Sequence, residues 1–412
     1  SNTTGESNVA VGKGSLDANT EGSCNVAVGE DSLGANNTGV HNVAVGTIAL
    51  LSNTTGGENT AVGWGSQASN TTAGSNSSFG NQSLCLNSTG CCNTSIGYRS
   101  MCSNTTGDKN VAVGNNALSK NTSADSNVGV GHSSLLSNTT GIQNVGVGFC
   151  SLTTNTTGAS NVGIGPLALA SNTTADINVA VGQSAMQTNT TGTNNVGIGY
   201  QSLFANTTGG GNTAVGSKAL CSNTTASDNV AVGRDSLRLN TEGHSNVGIG
   251  RNALYDNTTG DQNIAIGCSA LANNTTADSN VAIGHTVLIT NTTGTENTAV
   301  GHDALYSNTT ENSNSAFGFQ ALRANTNDAN TGIGYRALCS NTSGCLNTAL
   351  GTSAGRDITT GDNNLTLGYY AGRSSSPSGA ITTGNNNVVL GDDNISNLFC
   401  ADTSISSSDL RD

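Results

Sequence analysis

The sequence predicts an all-β fold, a parallel β-solenoid with about 23 coils, each of about 17 residues. Three observations predict it. The motif Asn-Val-Ala-Val-Gly recurs with small variations from Asn8 to Asn387, at a nearly constant interval. The fifth residue of every copy is Gly, and most copies are followed by Asn-Thr-Thr-Gly. A fixed period of this kind is the signature of stacked repeats, in which each unit contacts mainly its neighbours. We number the repeat positions from the motif Asn.

Positions 1–4 are expected to form a strand, and position 5 a turn. Position 4 is always Val, Ile, Leu or Phe, as in Val113 and Ile164, which predicts that it lies in the core. Position 2 is mostly Val and would share that face, because side chains alternate along a strand. The unvarying Gly at position 5 predicts a positive φ or a close backbone approach.

The rest of the coil is expected to be a second short strand at positions 7–11 and a second turn. Position 9 is Leu or Met in 19 of the first 20 copies, with Gln67 as the exception, so it is predicted to be the third core position. Position 12 is Asn in those copies, and Asn-Thr-Thr-Gly is typical of a turn. Stacked Asn side chains are expected to bond amide to amide. Positions 6, 7, 10, 11, 16 and 17 vary freely and are predicted to lie on the surface.

Positions 3 and 8 hold small residues, such as Ala112, Ala117 and Gly163. Because large side chains are almost absent from these two positions, we expect other atoms to pack closely against them. Three sizeable apolar groups per coil are few against the entropy of ordering a whole coil. We therefore expect a homotrimer in which these small-residue faces lie at or near the contact between chains.

The repeat divides the chain into three parts. Residues 1–372 are predicted to be the solenoid shaft, 373–391 a last coil with an inserted loop, and 392–412 a non-repeat segment. The step between Asn314 and Asn330 is a single residue shorter than the regular one.

The repeats resemble two related families. Strings such as Asn280-Val281-Ala282-Ile283-Gly284 are similar to the motif of trimeric autotransporter adhesin heads, which form a left-handed β-roll with a somewhat shorter repeat. The runs Asn-Thr-Ala-Val-Gly and Ala-Leu-x-Ser-Asn-Thr-Thr-Gly resemble the repeat region of phage tail fibre proteins. The first resemblance implies a left-handed, β-roll-like solenoid in a homotrimer.

The tail resembles the junction between a tail fibre and a C-terminal intramolecular chaperone. That family begins with a Ser-Asp-x-Arg-x-Lys pattern, which Ser408, Asp409 and Arg411 match, while the Lys would follow Asp412. The resemblance implies a trimer-folding chaperone that cuts itself off near Ser408 with a Ser–Lys pair.

Composition argues against several functions. The net charge is −13 with only 13 Lys and Arg, whereas nucleic-acid binding needs a basic stripe. The sequence contains no run of 18 apolar residues, so it gives no sign of a segment that inserts into a membrane. No nucleophile–base set recurs and no acidic pair occupies fixed positions, so we expect no catalytic residue, no cofactor and no enzyme activity. His285 and His302 stack at position 6 beside Asp303, and a solvated surface pair is favoured over a metal site.

Three sets of residues carry further hypotheses. Exposed rings are candidate contacts with a host-surface glycan or protein receptor, against the alternative of ordinary surface rings: Trp64, Tyr98, Tyr200, Tyr335, Tyr369 and Tyr370. Cysteines that share positions 10 and 16 are candidate disulfide formers, against the alternative of free thiols: Cys85, Cys91, Cys339 and Cys345. Of the first 20 Asn residues at position 12, 17 are glycosylation sequons, against the alternative that Asn-Thr-Thr is simply the turn.

The favoured function is a structural and adhesive fibre, the shaft of a phage tail fibre, located in the virion and acting outside the cell. Two alternatives stay open: a cell-surface trimeric adhesin head, and a non-viral extracellular structural filament. The sequence that follows Asp412 would separate them, because a chaperone favours the first and a coiled-coil stalk with a membrane barrel favours the second.

Overall fold

The computed structural model describes residues 2–376 and 378–396, and these residues form strands and turns without a helix. The chain divides into two compact units, Ser1–Gln262 and Asn263–Asp412. The strands of the first unit are β1 Val9–Val11, β2 Val26–Val28, β3 Val43–Val45, β4 Thr60–Val62, β5 Ser77–Phe79, β6 Thr94–Ile96, β7 Val111–Val113, β8 Val128–Val130, β9 Val145–Val147, β10 Val162–Ile164, β11 Val179–Val181, β12 Val196–Ile198, β13 Thr213–Val215, β14 Val230–Val232 and β15 Val247–Ile249. Those of the second are β16 Ile264–Ile266, β17 Val281–Ile283, β18 Thr298–Val300, β19 Ser315–Phe317, β20 Thr331–Ile333, β21 Thr348–Leu350, β22 Leu365–Leu367 and β23 Val388–Leu390.

Within each unit, consecutive strands pair in parallel and in register, so each unit is a parallel β-solenoid. In the first unit, Val111 pairs with Val128, one repeat further along. In the second, the shortened step keeps its register, with Ser315 opposite Thr331. The longer step does the same, with Leu365 opposite Val388. The predicted all-β parallel solenoid is confirmed.

The predicted assignment of positions 2 and 4 to the core is wrong. Ala112, at position 3, is fully buried, whereas Val111 and Val113 on either side of it are half-buried. Ile164, at position 4, is 40% exposed. Because side chains alternate along a strand, burying position 3 turns positions 2 and 4 to the outside.

The interior is filled by position 9 instead, which confirms that part of the prediction. Leu118 and Leu152 are completely buried. A Cβ on Gly163 would lie 3.2 Å from Cγ of Leu152, so a large residue at position 3 would collide with the Leu column. Ala112, Ala117 and Gly163 are therefore small because they line the inside of their own coil. The predicted chain–chain contact at these faces is wrong.

Positions 7–11 do not form the predicted second strand. The structure has turns there, and the backbone is left-handed at positions 7 and 9, as in Asn116 (φ 56°) and Leu118 (φ 51°). Left-handed residues do not continue a β-strand. Position 9 combines complete burial with a left-handed backbone, which is uncommon for Leu.

Two ladders of buried Asn side chains run along the coils. At position 12, Asn53 Nδ2 donates to Asn36 Oδ1 at 2.9 Å and to the Gly56 carbonyl at 2.9 Å. At position 1, the Asn42 backbone N–H donates to Asn25 Oδ1 at 2.9 Å. The predicted amide ladder is confirmed at position 12, and a second one exists at position 1.

The Gly turn at position 5 needs Gly for two reasons. Gly131 has φ +130°, a conformation that L side chains rarely adopt. A Cβ there would lie 2.4 Å from the carbonyl oxygen of Gly148 in the next coil. Both predicted reasons for this Gly are confirmed.

In the last complete coils, the loss of a large residue at one interior position is matched by larger residues at two others. Position 9 becomes Gly355, whose added Cβ would lie 2.9 Å from Oγ1 of Thr366 and 3.2 Å from Cδ1 of Ile358. Ile358 takes position 12 in place of Asn and is completely buried. The loss of Leu at one position therefore makes room for larger residues at positions 3 and 12.

Candidate functional site

The outer face of each sheet carries two columns of side chains, from positions 2 and 4, which we call the outer stripe. Position 4 is apolar in every coil, and position 2 is Val, Ile, Leu, Thr or Ser; no charged residue occurs at either position. Ile96, Ile164 and Ile198 are 39–40% exposed, although each packs between neighbouring coils. In the first unit, 15 strands spaced about 4.8 Å apart make a stripe roughly 70 Å long, and a width of about 10 Å across positions 2–4 gives it an area of roughly 700 Å². Apolar patches above a few hundred Å² mark interaction sites.

The aromatic receptor candidates lie on the surface as the sequence predicts, but in separate coils. Trp64, Tyr98, Tyr200 and Tyr335, all at position 6, are 45–49% exposed. The structure brings only two of the candidates together, Tyr369 and Tyr370, whose ring centroids are 3.9 Å apart. Arg373 lies over the Tyr370 ring, 4.4 Å from its centroid.

A stack of four rings at position 6 of the second unit combines one predicted candidate with three other residues. His285 and His302 stack with centroids 5.0 Å apart, and Phe319 lies 5.5 Å from His302. Tyr335 follows at 5.4 Å, and Arg336 covers its ring at 5.3 Å. The sequence signal for this stack is the run of aromatic residues at one position in four successive repeats.

A ladder of polar side chains at position 7 runs beside these rings. Thr286 Oγ1 donates to Asp303 Oδ1 at 2.6 Å, and Gln320 Nε2 lies 3.4 Å from Asp303 Oδ2. Partial burial opposes ionisation of Asp303. The hydrogen bonds from Thr286 and Gln320, with the charges of His302 and Arg323, outweigh it and lower the pKa of Asp303. Among the described residues, no group of three or more His, Cys, Asp and Glu side chains can hold a metal ion.

The cysteine candidates are free thiols in the structure, and so is Cys102. Cys345 lies beside Asp362, with Sγ 3.4 Å from Oδ1, and burial of Cys339 raises the pKa of its thiol. Cys85 lies against Cys102 of the next coil, with their Sγ atoms 3.1 Å apart. The disulfide hypothesis for Cys85, Cys91, Cys339 and Cys345 stays a prediction.

The sequon Asn residues are inside the coils. All 17 of them, including Asn138, are completely buried, and the Asn138 side-chain nitrogen donates to Asn121 and to the Gly141 carbonyl. A glycan on that nitrogen has no room in the folded coil. The turn interpretation of Asn-Thr-Thr is therefore the one that this geometry supports.

Ser408 and Asp409, the candidate cleavage junction, lie outside the described residues. Among the described residues we find no helix with the length and apolar character that a membrane crossing requires. An open surface cavity of about 390 Å³ near the start of the first unit is lined by Asp17, Asp31 and Leu51 among others.

The geometry defines the class of the protein as a tandem-repeat parallel β-solenoid. Comparison with protein-family models and with curated proteins finds no match to the chain.

Proposed function

We propose that this chain is the shaft of a trimeric fibre, most specifically of a phage tail fibre, which carries a host-binding surface at a distance from its attachment. The observation that carries the proposal is the outer stripe: an uncharged, half-exposed apolar surface repeated in every coil. Such a surface needs a partner with the same repeat, and a second and third copy of the chain supply one.

The stripe supports self-association better than it supports binding of a small ligand. Position 4 is apolar in every coil and neither position is charged in any coil, so the stripe has no single site with the charge that would hold a polar ligand. The area of about 700 Å² in the first unit alone approaches the roughly 800 Å² per partner of a stable interface. We therefore place the contact between chains at positions 2 and 4.

Variable positions supply the host-binding function in this proposal. The chain is not an enzyme in this proposal, and it binds no nucleic acid, cofactor or membrane interior. Tyr369, Tyr370 and Arg373 form the most concentrated surface group, in which stacked rings beside a guanidinium suit a sugar or a protein loop. Trp64, Tyr98, Tyr200 and Tyr335 are secondary contacts.

The test combines mass with binding. Sedimentation of the purified chain is expected to give three times the chain mass of 40.9 kDa. The fluorescently labelled trimer should bind some members of a panel of bacterial strains, and Tyr369→Ala/Tyr370→Ala should weaken that binding at least 10-fold. A folded monomer overturns the trimer, and cleavage of surface glycans overturns the non-enzymatic function.

The adhesin head and the extracellular filament remain as second candidates, supported by the same stripe. Binding to animal-cell matrix rather than to bacteria favours the adhesin. Binding to neither, with end-to-end assembly in electron micrographs, favours the filament.

A further inference from the structure

Two cysteines of neighbouring coils face each other at repeat position 10. Cys85 Sγ lies 3.1 Å from Cys102 Sγ, and the Leu86 backbone N–H donates to the Cys102 carbonyl at 3.1 Å, which aligns the two coils. Stacked coils place equivalent Cα atoms about 4.8 Å apart, inside the usual range for a disulfide. Closing the bond needs each sulfur to move by about half an ångström.

We propose that Cys85 and Cys102 form a disulfide that links these two coils in response to oxidation by a peroxide. The other position-10 cysteines, Cys221 and Cys339, have no cysteine at that position in an adjacent coil, so the described chain contains one such pair. The proposal does not depend on the proposed fibre function.

Arg99 and the pairing itself activate one of the two thiols. The hydrogen bond from Cys85 and, against the opposing effect of burial, the Arg99 guanidinium lower the pKa of Cys102 to about 6. The hydrogen bond with Cys102 raises the pKa of Cys85. The pair therefore shares one negative charge at neutral pH, located on Cys102, and the thiolate is the reactive form of cysteine.

The reaction balances with one peroxide molecule. The Cys102 thiolate attacks a peroxide oxygen, the O–O bond breaks, and hydroxide leaves, which gives a sulfenic acid at Cys102. The Cys85 sulfur then attacks the Cys102 sulfur, the S–O bond breaks, and the Cys85 proton leaves with the hydroxyl as water. Two thiol groups are oxidised and hydrogen peroxide is reduced.

The location of the pair coincides with the most polar stretch of the interior. Ser78 and Ser95 occupy position 3 of these two coils, where other coils have Ala, Gly or, near the end, larger residues. The Ser83 hydroxyl donates to Ser95 Oγ at 2.8 Å. Gln67 replaces the core Leu in the preceding coil, and its Oε1 is buried without a hydrogen-bond partner. A covalent link compensates here for apolar contacts that the core lacks.

Peptide mapping of the full chain tests the bond directly. Trypsin cleaves after Arg99, so Cys102 leaves in the peptide Ser100–Lys109, separate from Cys85. After treatment with hydrogen peroxide and alkylation of free thiols, this peptide is expected to remain joined to the peptide Gly14–Arg99, which also contains Cys24, Cys91 and Cys92, and fragmentation of the joined peptides is expected to locate the bond at Cys85. The link should disappear in Cys85→Ser and persist in Cys91→Ser. A peptide with Cys102 oxidised but unlinked, or linked to Cys91 or Cys92, overturns the proposal.

Rate and protection give two independent readouts. The rate at which peroxide consumes the Cys102 thiol is expected to change little between pH 7 and pH 9, and a rise of about 10-fold from pH 7 to pH 8 would contradict the thiolate at Cys102. Hydrogen exchange at the Leu86 amide should slow about 100-fold on oxidation, as expected for closing a loop of this length. The Ser222 amide, next to the unpaired Cys221, is the matched control and should not change. Equal exchange rates at the Leu86 amide in the linked and the reduced chain would contradict the proposal that the disulfide holds the two coils together.

Discussion

At the scale of single residues, the fold depends on amides that are buried and fully used. The Asn138 side chain donates to Asn121 Oδ1 at 3.1 Å and to the Gly141 carbonyl at 2.8 Å, and it accepts from Asn155 at 2.8 Å. One side chain thus forms a hydrogen bond within its own coil and one with each of the two neighbouring coils. Buried polar groups that are completely paired fix a unique packing, whereas losing one partner costs the desolvation of the group left behind.

We therefore expect Asn138→Asp to destabilise the solenoid strongly. The carboxylate cannot donate either hydrogen bond, and it places a charge beside two oxygen acceptors in the interior. The free energy of unfolding should fall by about 3 kcal/mol or more, measured by chemical denaturation. Thr140→Ala is the matched control, because it removes the same sequon at an exposed side chain. Equal stabilities of the two variants would contradict the ladder.

A substitution of Gln67 is expected to stabilise the chain, in contrast to Asn138→Asp. Its Nε2 donates to the Thr60 carbonyl at 3.0 Å and to Ser78 Oγ at 2.8 Å, but Oε1 has no partner. Gln67→Leu restores the residue found in neighbouring coils, and Ser78 keeps its contact with Ser66. We expect the free energy of unfolding to rise by about 1 kcal/mol, and a destabilised variant in thermal denaturation would show that the Gln hydrogen bonds dominate.

The sequence predicts some of these residue roles and not others. The Asn ladder is predictable because one residue type at a fixed period places identical amides one above the other. The left-handed backbone of Leu118 is not, since Leu carries no local signal for φ near +51°. That conformation is held by two hydrogen bonds: the Leu118 N–H donates to the Ser134 carbonyl of the next coil, and the Asn121 N–H donates to the Leu118 carbonyl within the same coil.

At the scale of the single coil, the Gly turn sets how closely coils stack. Gly131→Ala places a methyl group 2.4 Å from the Gly148 carbonyl oxygen and forces Ala to φ +130°. Both effects oppose folding, and a loss of about 3 kcal/mol or more is expected in denaturant unfolding. Gly65→Asn is the control: Gly65 has φ +62°, the atom nearest to an added Cβ lies 3.8 Å away, and Asn tolerates this backbone. A Gly131→Ala variant as stable as this control would refute the role of the turn.

The polar ladder at position 7 makes one part of the second unit sensitive to acid. Because the pKa of Asp303 is lowered in the folded chain, its stabilising effect is present above its ordinary value of 3.8 and is lost as the pH falls through the lowered value. Asp303→Asn should therefore be less stable than the native chain at pH 6 and lose less stability between pH 4 and pH 2. Thermal unfolding across this range measures both, and parallel curves would contradict the assignment.

The orientation of the strand is the main error of sequence reasoning. Val at positions 2 and 4 beside Ala or Gly at position 3 suggests that the larger side chains face the core. The Leu column at position 9 already fills the narrow interior, so only a small residue fits opposite it: a Cβ at Gly197 would lie 3.0 Å from Cγ of Met186. The alternation was predictable, but the direction depended on the coil's width, which no single repeat reveals.

At the scale of the whole molecule, apolar side chains lie both inside the coils, in the Leu column, and on the outer surface of the strands. Two Asn columns lie inside each coil, and apolar side chains lie on its outer stripe. An isolated chain would expose Val and Ile along every strand, and such a surface is stabilised when identical copies cover one another. The error in strand direction therefore moves the expected contact between chains from positions 3 and 8 to positions 2 and 4.

The relocated contact leads to a test with three variants of the chain. The first combines the substitutions Val130→Lys, Val147→Lys and Ile164→Lys, which put three charges on neighbouring coils of the outer stripe. Each side chain points outward, so the coils can still form, while charges that repel across the contact oppose assembly. We expect a folded chain of 40.9 kDa by sedimentation, with the β-sheet circular dichroism retained.

The two companion variants separate assembly from folding. Ala112→Arg replaces a completely buried residue inside the coil, so it should abolish folding rather than assembly alone. Lys120→Glu changes an exposed side chain and should leave both unchanged. If Ala112→Arg gave a folded monomer and the triple Lys variant a normal trimer, the contact between chains would lie at the small-residue face after all. The outer stripe would then face solvent along its whole length, and the proposed fibre would need a different interface.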